Sequence, residues 1–298
     1  MFKITVPATS ANLGVGYDVM GLALSMSMTV TFSAHASGVL ITGGDPRFQN
    51  ADNLIYQAFV RGCEALDQPV PGVHLDVACE IPAARGLGSS AACIVAGLAG
   101  ANRWFGQPLE RLDLLRLATA MEGHPDNVAP AIFGQLAATI MVDAEPVVAH
   151  YQVHSSWHFA VVIPDTPLST AEARAVLPTQ MSYAQASYQM GHCTLACTAL
   201  ERGDKAMLQA ALQDKMQEPY RAKLIAGFAD VKALGATLNI PVVISGAGST
   251  MLAISADAKR LQRFVTQARI QHPHWQVQVL TIDQQGFQVQ EASRAIAE

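Results

Sequence analysis

The chain has 298 residues, of which 50% are hydrophobic, 14% charged and 6% aromatic, with a formal net charge of -5. A mildly acidic chain with no polybasic arm offers no surface for a phosphate backbone, which excludes general nucleic-acid binding. No apolar run approaches a membrane span, and the N-terminus lacks the charged region and apolar core of a secretory signal, so no membrane contact and a cytoplasmic location are expected.

The length exceeds what one core usually fills, so two domains or one two-lobed unit are expected, with a boundary near 150–157 that divides the chain into 1–155 and 156–298. The cysteines are odd in number (Cys63, Cys79, Cys93, Cys193, Cys197) and most lie in apolar segments, the pattern of reduced thiols packed as small hydrophobes. Cys193 and Cys197 have helical spacing, and no second ligand pair accompanies them to make a metal site.

Phe2, Ile4 and Val6 alternate with Lys3 and Thr5, which predicts an opening strand ending at Pro7. Small and polar residues then interrupt the pattern from Ala8 to Gly21. Thr9, Asn12 and Asp18 crowd three short hydrogen-bonding side chains into this stretch, which suits a small polar ligand. Strands are expected at 26–34 and 39–41, then a helix capped by Asp52 and stopped by Pro69 and Pro71.

The alternating run 73–79 leads into Ile81-Pro82-Ala83-Ala84-Arg85-Gly86-Leu87-Gly88-Ser89-Ser90-Ala91-Ala92, and an apolar, Ala-rich helix follows. Gly86 and Gly88 allow the backbone close to a ligand, and Ser89 and Ser90 fall where a helix start leaves free N–H groups and a positive dipole end. That combination makes an anion site, most economically one for phosphate. It is not the phosphate loop with an adjacent lysine, because no Gly-Lys-Ser/Thr follows, nor is it the dinucleotide fingerprint. On its own the stretch would also serve as a tight turn with a serine cap.

Pro108 marks the expected start of another helix, with Leu109, Leu112, Leu115, Ala118 and Met121 as one apolar stripe. Glu122, His124 and Asp126 then place three titratable groups in a loop that Gly123 and Pro125 keep out of regular helix. Strands are expected at 136–142, 147–153 and 158–163, a short helix at 170–177, and helices at 182–202, 205–216 and 223–238. A strand at 241–244, a third Gly-rich loop from Ser245 to Thr250, a strand at 251–254, a helix at 259–270 and a strand at 275–282 complete the chain.

The three small-residue loops, 7–21, 82–92 and 245–250, resemble in order and spacing the three motifs of the galactokinase, homoserine kinase, mevalonate kinase and phosphomevalonate kinase (GHMP) superfamily. Within it, the segment from Ala8 to Asp18, His124-Pro125-Asp126-Asn127-Val128-Ala129-Pro130, Thr170-Ala171-Glu172-Ala173-Arg174 and Glu218-Pro219-Tyr220-Arg221 resemble the homoserine kinases. The likeness spans nearly the whole chain. One departure is Ser249, where the third motif usually has proline.

The resemblance implies an α/β (α+β) fold of two domains, the second ferredoxin-like, with the active site between them. It implies a cytoplasmic homodimer that uses ATP and Mg2+ to convert L-homoserine to O-phospho-L-homoserine in threonine biosynthesis. The ATP phosphates would lie over Pro82 to Ala92, and Ser90 and Glu122 would hold the magnesium. Arg174 and Arg221 would take the substrate carboxylate and Asp18 its ammonium, with Thr9 and Asn12 completing the polar contacts. Arg85, from its place within the phosphate loop alone, is expected either to steady the nucleotide phosphates or to face solvent at the loop's edge. Asn127 would orient the reacting hydroxyl, with Asp126 shaping its surroundings and His124 lining the site, although by chemistry alone Asp126 is the natural general base. A relative acting on a sugar or a mevalonate-type alcohol, and a non-catalytic sensor on the same fold, are the competing expectations.

Overall fold

The computed structural model of the chain describes residues 1–291. Its first part comprises β1 (Phe2–Ala11), β2 (Met20–Ala34), β3 (Val39–Gly43), α1 (Leu54–Ala65), β4 (Val73–Cys79), α2 (Ser89–Trp104), α3 (Arg111–Glu122), α4 (Pro125–Phe133), β5 (Leu136–Val142) and β6 (Glu145–Tyr151). Its second part comprises β7 (His158–Ile163), α5 (Thr170–Ala175), α6 (Tyr183–Arg202), α7 (Lys205–Ala211), α8 (Glu218–Arg221), α9 (Phe228–Thr237), β8 (Val242–Ile244), β9 (Met251–Ser255), α10 (Ala258–Gln271), β10 (Gln276–Leu280) and β11 (Gln288–Glu291).

Two sheets organise the fold. The first follows the order β11-β1-β2-β4-β3, and β5 joins it through β2 and carries β6. The second is antiparallel, in the order β10-β7-β9-β8. β7, β8 and β9 are buried on both faces, while the edge strand β10 is largely exposed. Phe159, Val161 and Ile163 of β7 face the larger core that continues into the first sheet, whereas Ala160 and Val162 face a second core with α9 and α10. Period-two alternation thus serves two cores at once.

Several boundaries differ from the sequence reading, each for a local reason. Pro7 does not end β1. The register against β2 shifts between Pro7 and Ala8, and this irregularity admits a residue with no N–H to donate, so the strand continues to Ala11. β2 begins at Met20 and pairs with that extension. α1 is capped by Asn53, not Asp52, with Oδ1 accepting from the N–H groups of Ile55 and Tyr56. α3 starts at Arg111 behind Glu110, later than Pro108, and Leu112 faces solvent while Leu114, Leu115 and Ala118 face the core.

The segment around His124 is not a loop. Gly123, at φ 89, closes α3, and α4 starts at Pro125, where a helix needs no N–H donor. Asp126 and Asn127 therefore sit in the first turn of a helix. The expected helix 205–216 ends at Ala211, and the one expected at 223–238 is a short 3-10 turn followed by α9. β11 was not anticipated at all, and it brings the last described residues back to pair with Phe2–Thr5. Cys63 and Cys197 are buried as expected, but Cys79 is exposed.

Candidate active site

The three small-residue loops meet. Ser245 Oγ donates to Gly86 O at 2.6 Å and lies 2.8 Å from Ser10 Oγ, while the Gly246 N–H donates to Ala11 O at 2.9 Å. Thr250 N–H binds Arg85 O at 3.0 Å and Thr9 N–H binds Leu87 O at 3.1 Å. This closeness needs glycine. At Gly86, with φ +76, a Cβ would stand 2.2 Å from Ser245 O, and at Gly88, with φ +67, it would stand 1.9 Å from Thr9 Oγ1. Ser249 donates to Thr166 O at 2.6 Å, so a hydrogen bond anchors the loop where proline is usual.

Gly88 caps α2 without any side-chain bond, and among the described residues the N–H groups of Ser89, Ser90 and Ala91 find no acceptor. Ser89 and Ser90 line a cavity of about 340 Å³, together with Glu122, His124, Asp126 and Asn127. It is a helix start built to receive an anion. Ser90 Oγ donates to Glu122 Oε2 at 2.6 Å, which brings the two expected metal ligands together. Burial pushes the Glu122 carboxyl above its ordinary value, against the opposing effect of the Ser90 hydrogen bond. Among the described residues no cluster of three or more His, Cys, Asp or Glu surrounds a metal-sized space. A hydroxyl and a carboxylate supplemented by phosphate and water oxygens nevertheless suit magnesium, which keeps few protein ligands.

The start of α4 forms the next wall. Thr9 Oγ1 donates to Asn127 Oδ1 at 2.8 Å, so the amide oxygen is committed and Nδ2 is left to donate elsewhere. His124 Nδ1 lies 2.6 Å from Asp126 Oδ1, and that carboxylate is only 2% exposed. The hydrogen bond that the imidazole makes to the Asp126 carboxylate holds His124 above its ordinary value, more strongly than burial lowers it.

The opposite end of the cavity is ionic. Asn12 Nδ2 donates to Gly246 O at 2.8 Å, and its Oδ1 accepts the Asp18 N–H at 2.9 Å. Arg174 makes a bidentate pair with Asp18, at 2.9 and 2.8 Å, and also donates to the Tyr17 hydroxyl at 2.7 Å. Arg221 is buried, and its partners are the carbonyls of Ala173 at 3.0 Å and Gly246 at 3.2 Å and the amide oxygen of Gln217. The Tyr17 ring is close to both guanidiniums, its centroid 5.5 Å from that of Arg174 and 5.1 Å from that of Arg221. Asn12, Asp18, Asn127, Arg174 and Arg221, scattered over the sequence, are thus gathered around one space, whereas Thr9, expected among the substrate contacts, is fully buried behind it and spends its hydroxyl on Asn127.

Arg85 points differently from the rest of its loop. Its guanidinium donates to Pro164 O at 3.0 Å, to Ala83 O at 3.3 Å, to Ala84 O and to Asp165 O, tying the loop to the end of β7. The sequence reading also missed a neighbouring, mostly apolar cavity of about 720 Å³. Met28, Ile41, Phe48, Ile55 and Val77 line it, and it shares Ala84, Ser89 and Ser90 with the first cavity. Those apolar residues come from five separate segments, and nothing in their local spacing marks them as a pocket.

The family model described as the GHMP kinases N terminal domain matches residues 53–135. The homoserine kinase of Microchaete diplosiphon is 43% identical over 288 residues, covering 94% of this chain and 92% of that protein. The homoserine kinase of Clostridium botulinum (strain 657 / Type Ba4) is 37% identical over 292 residues, covering 96% of this chain and 97% of that protein. Among solved structures, a homoserine kinase from Cytophaga hutchinsonii superposes with a TM-score of 0.88 at 30% identity, covering 97% of this chain and 96% of that one.

Proposed function

From the premise that this chain belongs to the homoserine kinase family, we propose that it transfers the terminal phosphoryl group of ATP to the side-chain hydroxyl of L-homoserine, yielding O-phospho-L-homoserine for threonine biosynthesis. The observation that carries the reading is one cavity with an uncapped helix start at one end and, at the other, two arginines and Asp18. A phosphate donor needs the first, and an amino-acid zwitterion needs the second.

In this reading the ATP phosphates lie over Pro82 to Ala92 and accept from the free N–H groups of α2, while the apolar cavity beside them takes the base. Arg174 and Arg221 hold the substrate carboxylate and Asp18 its ammonium, with Asn12 keeping the Asp18 backbone in place. The side chain then extends toward Asn127, whose Nδ2 steadies the reacting hydroxyl oxygen. Ser90 and Glu122 would hold magnesium, which supplies neutralisation of the charge that builds on the transferring phosphoryl group.

The hydroxyl oxygen forms a bond to the γ-phosphorus as the bond from that phosphorus to the β–γ bridging oxygen breaks, and ADP leaves. In a loose transition state the hydroxyl is only weakly acidified until late, so positioning carries most of the catalysis and the proton departs to phosphate or water. Asn127 cannot accept it. Asp126, committed to His124, shapes the start of α4, and His124 lines the site. Arg85 serves the nucleotide only indirectly, by tying its loop to the end of β7. The magnesium requirement, a homodimeric assembly and a cytoplasmic location belong to the same reading and are supported by the resemblance.

The test is ADP release with a panel of acceptors. L-homoserine should stimulate ATP turnover in the presence of magnesium, while mevalonate and galactose should not. ATP turnover that mevalonate or galactose stimulates as well as L-homoserine does would refute the reading, as would the absence of any homoserine-dependent turnover.

A further inference from the structure

Arg221 is 2% exposed, yet every partner it has among the described residues is a neutral oxygen: Ala173 O, Gly246 O and Gln217 Oε1. These occupy Nε and Nη1, whereas Nη2 has no acceptor among the described residues, and the residue lines the cavity. A buried guanidinium normally requires a carboxylate. The acids nearby are spent elsewhere. Asp18 is paired with Arg174, and Asp214 accepts from Gln189 Nε2 and from the N–H groups of Met216, Gln217 and Glu218.

The group standing where a counter-ion would be expected is Gln217, which is itself fully buried. Its amide can face only one way. Nε2 donates to Gly14 O at 2.7 Å, which turns Oε1 onto Arg221. The same side chain therefore links Arg221 to the loop that carries Tyr17 and Asp18.

We propose that Gln217 is a positioning residue that sets substrate selectivity: by holding Arg221 with a neutral oxygen instead of a carboxylate, it reserves the guanidinium charge for the carboxylate of the incoming amino acid. The inference rests on the reading above that Arg221 meets that carboxylate. A glutamate at 217 has the same length and would neutralise Arg221 from within, leaving the substrate carboxylate to displace an internal ion pair. A methionine has similar bulk, keeps the charge unmatched and loses only the orientation.

The experiment compares kcat and KM for L-homoserine, for its uncharged carboxamide and for ATP in the parent and in Gln217→Glu, Gln217→Met and Arg221→Met, with thermal melting of each. Gln217→Glu should raise the homoserine KM by roughly a hundredfold, the scale on which a buried charge pair is lost. Its kcat and ATP KM should change little, and the preference for homoserine over the carboxamide should collapse. Gln217→Met should raise the homoserine KM by less and keep the preference. A folded Gln217→Glu that retains the parent preference overturns the inference. If that variant does not melt cooperatively, an unaltered homoserine KM or a lost preference in Gln217→Met overturns it instead. Arg221→Met separates the two levels of the argument. An unchanged homoserine KM there refutes the placement of the substrate itself, whereas a raised KM combined with a retained preference in Gln217→Glu refutes the role of Gln217 alone.

Discussion

Arg174 closes a bidentate ion pair on Asp18, with Nη1 to Oδ2 at 2.9 Å and Nη2 to Oδ1 at 2.8 Å. Both side chains line the cavity and remain about a third exposed, at 37% and 35%. An amino-acid zwitterion can exchange with this pair pole for pole, carboxylate to Arg174 and ammonium to Asp18, so the site holds its charges ready without leaving either one unpaired.

Replacing Asp18 with Asn keeps the shape and removes the acceptor charge. The homoserine KM should rise by roughly ten- to a hundredfold, and the ATP KM should hold. Steady-state kinetics with each substrate varied in turn measures both, and equal rises would move Asp18 out of the amino-acid site.

Glu122 sits partly buried with its carboxyl pushed up, so its ionised form is strained by the fold at neutral pH. The sign follows from linkage. A raised carboxyl binds its proton more tightly when folded, so burial of the charge lowers stability above the raised value, and the loss fades as pH falls through it toward the ordinary value of 4.5. Glu122→Gln should therefore melt higher than the parent at neutral pH, with the gap closing on acidification. Its kcat should fall about a hundredfold to a thousandfold, the scale for losing a group that stabilises developing charge. A variant with lower stability and full activity would contradict both halves.

Gly88→Ala asks a left-handed backbone at φ +67 to carry a Cβ 1.9 Å from Thr9 Oγ1 and 3.1 Å from Asn127 Oδ1. The strain should cost about 1–3 kcal/mol of stability, and displacing Thr9 should release Asn127 and lower kcat more than a neutral surface substitution does. Melting and turnover of Gly88→Ala beside Gly38→Ala, where a Cβ would meet nothing and φ is also positive, separate crowding from backbone strain. Indistinguishable variants would show that the contact with Thr9 does not matter.

The phosphate end of this site was legible because its chemistry is local. Gly86, Gly88, Ser89 and Ser90 follow a strand and open a helix within a few positions, and positive φ and free N–H groups leave a composition that can be read directly. The amino-acid end was legible only through family resemblance, because nothing near Arg174 or Arg221 says what those side chains face. Asn127 was expected in a loop because Gly123 and Pro125 look like breakers, yet Gly123 closes one helix and Pro125 stands where the next one starts. Nothing in the local sequence singles out Gln217, because only the tertiary approach of Gly14 and Arg221 gives its amide partners. β11 depends on pairing with β1 at the far end of the chain, a contact no window of sequence contains.

His124 is held above its ordinary value of 6.5, chiefly by its hydrogen bond with Asp126. That coupling stabilises the fold fully below the unfolded histidine value and is lost as pH rises through the raised one. Asp126→Asn should therefore cost stability at acidic and neutral pH, with the difference from the parent shrinking in alkali. Its kcat should fall only modestly, with the pH profile of kcat keeping its acidic limb. A loss of several orders of magnitude together with disappearance of that limb would make Asp126 the general base.

The orientation of the substrate is the claim on which the rest depends, with the carboxylate enclosed by Arg174 and Arg221 and the hydroxyl turned toward α2. A kinase that held the same amino acid the other way round would phosphorylate the carboxylate. Phosphorus NMR of the product, before and after treatment with hydroxylamine, distinguishes the two outcomes. The account predicts a hydroxylamine-stable phosphate monoester on the side-chain oxygen, and a hydroxylamine-labile acyl phosphate would contradict it.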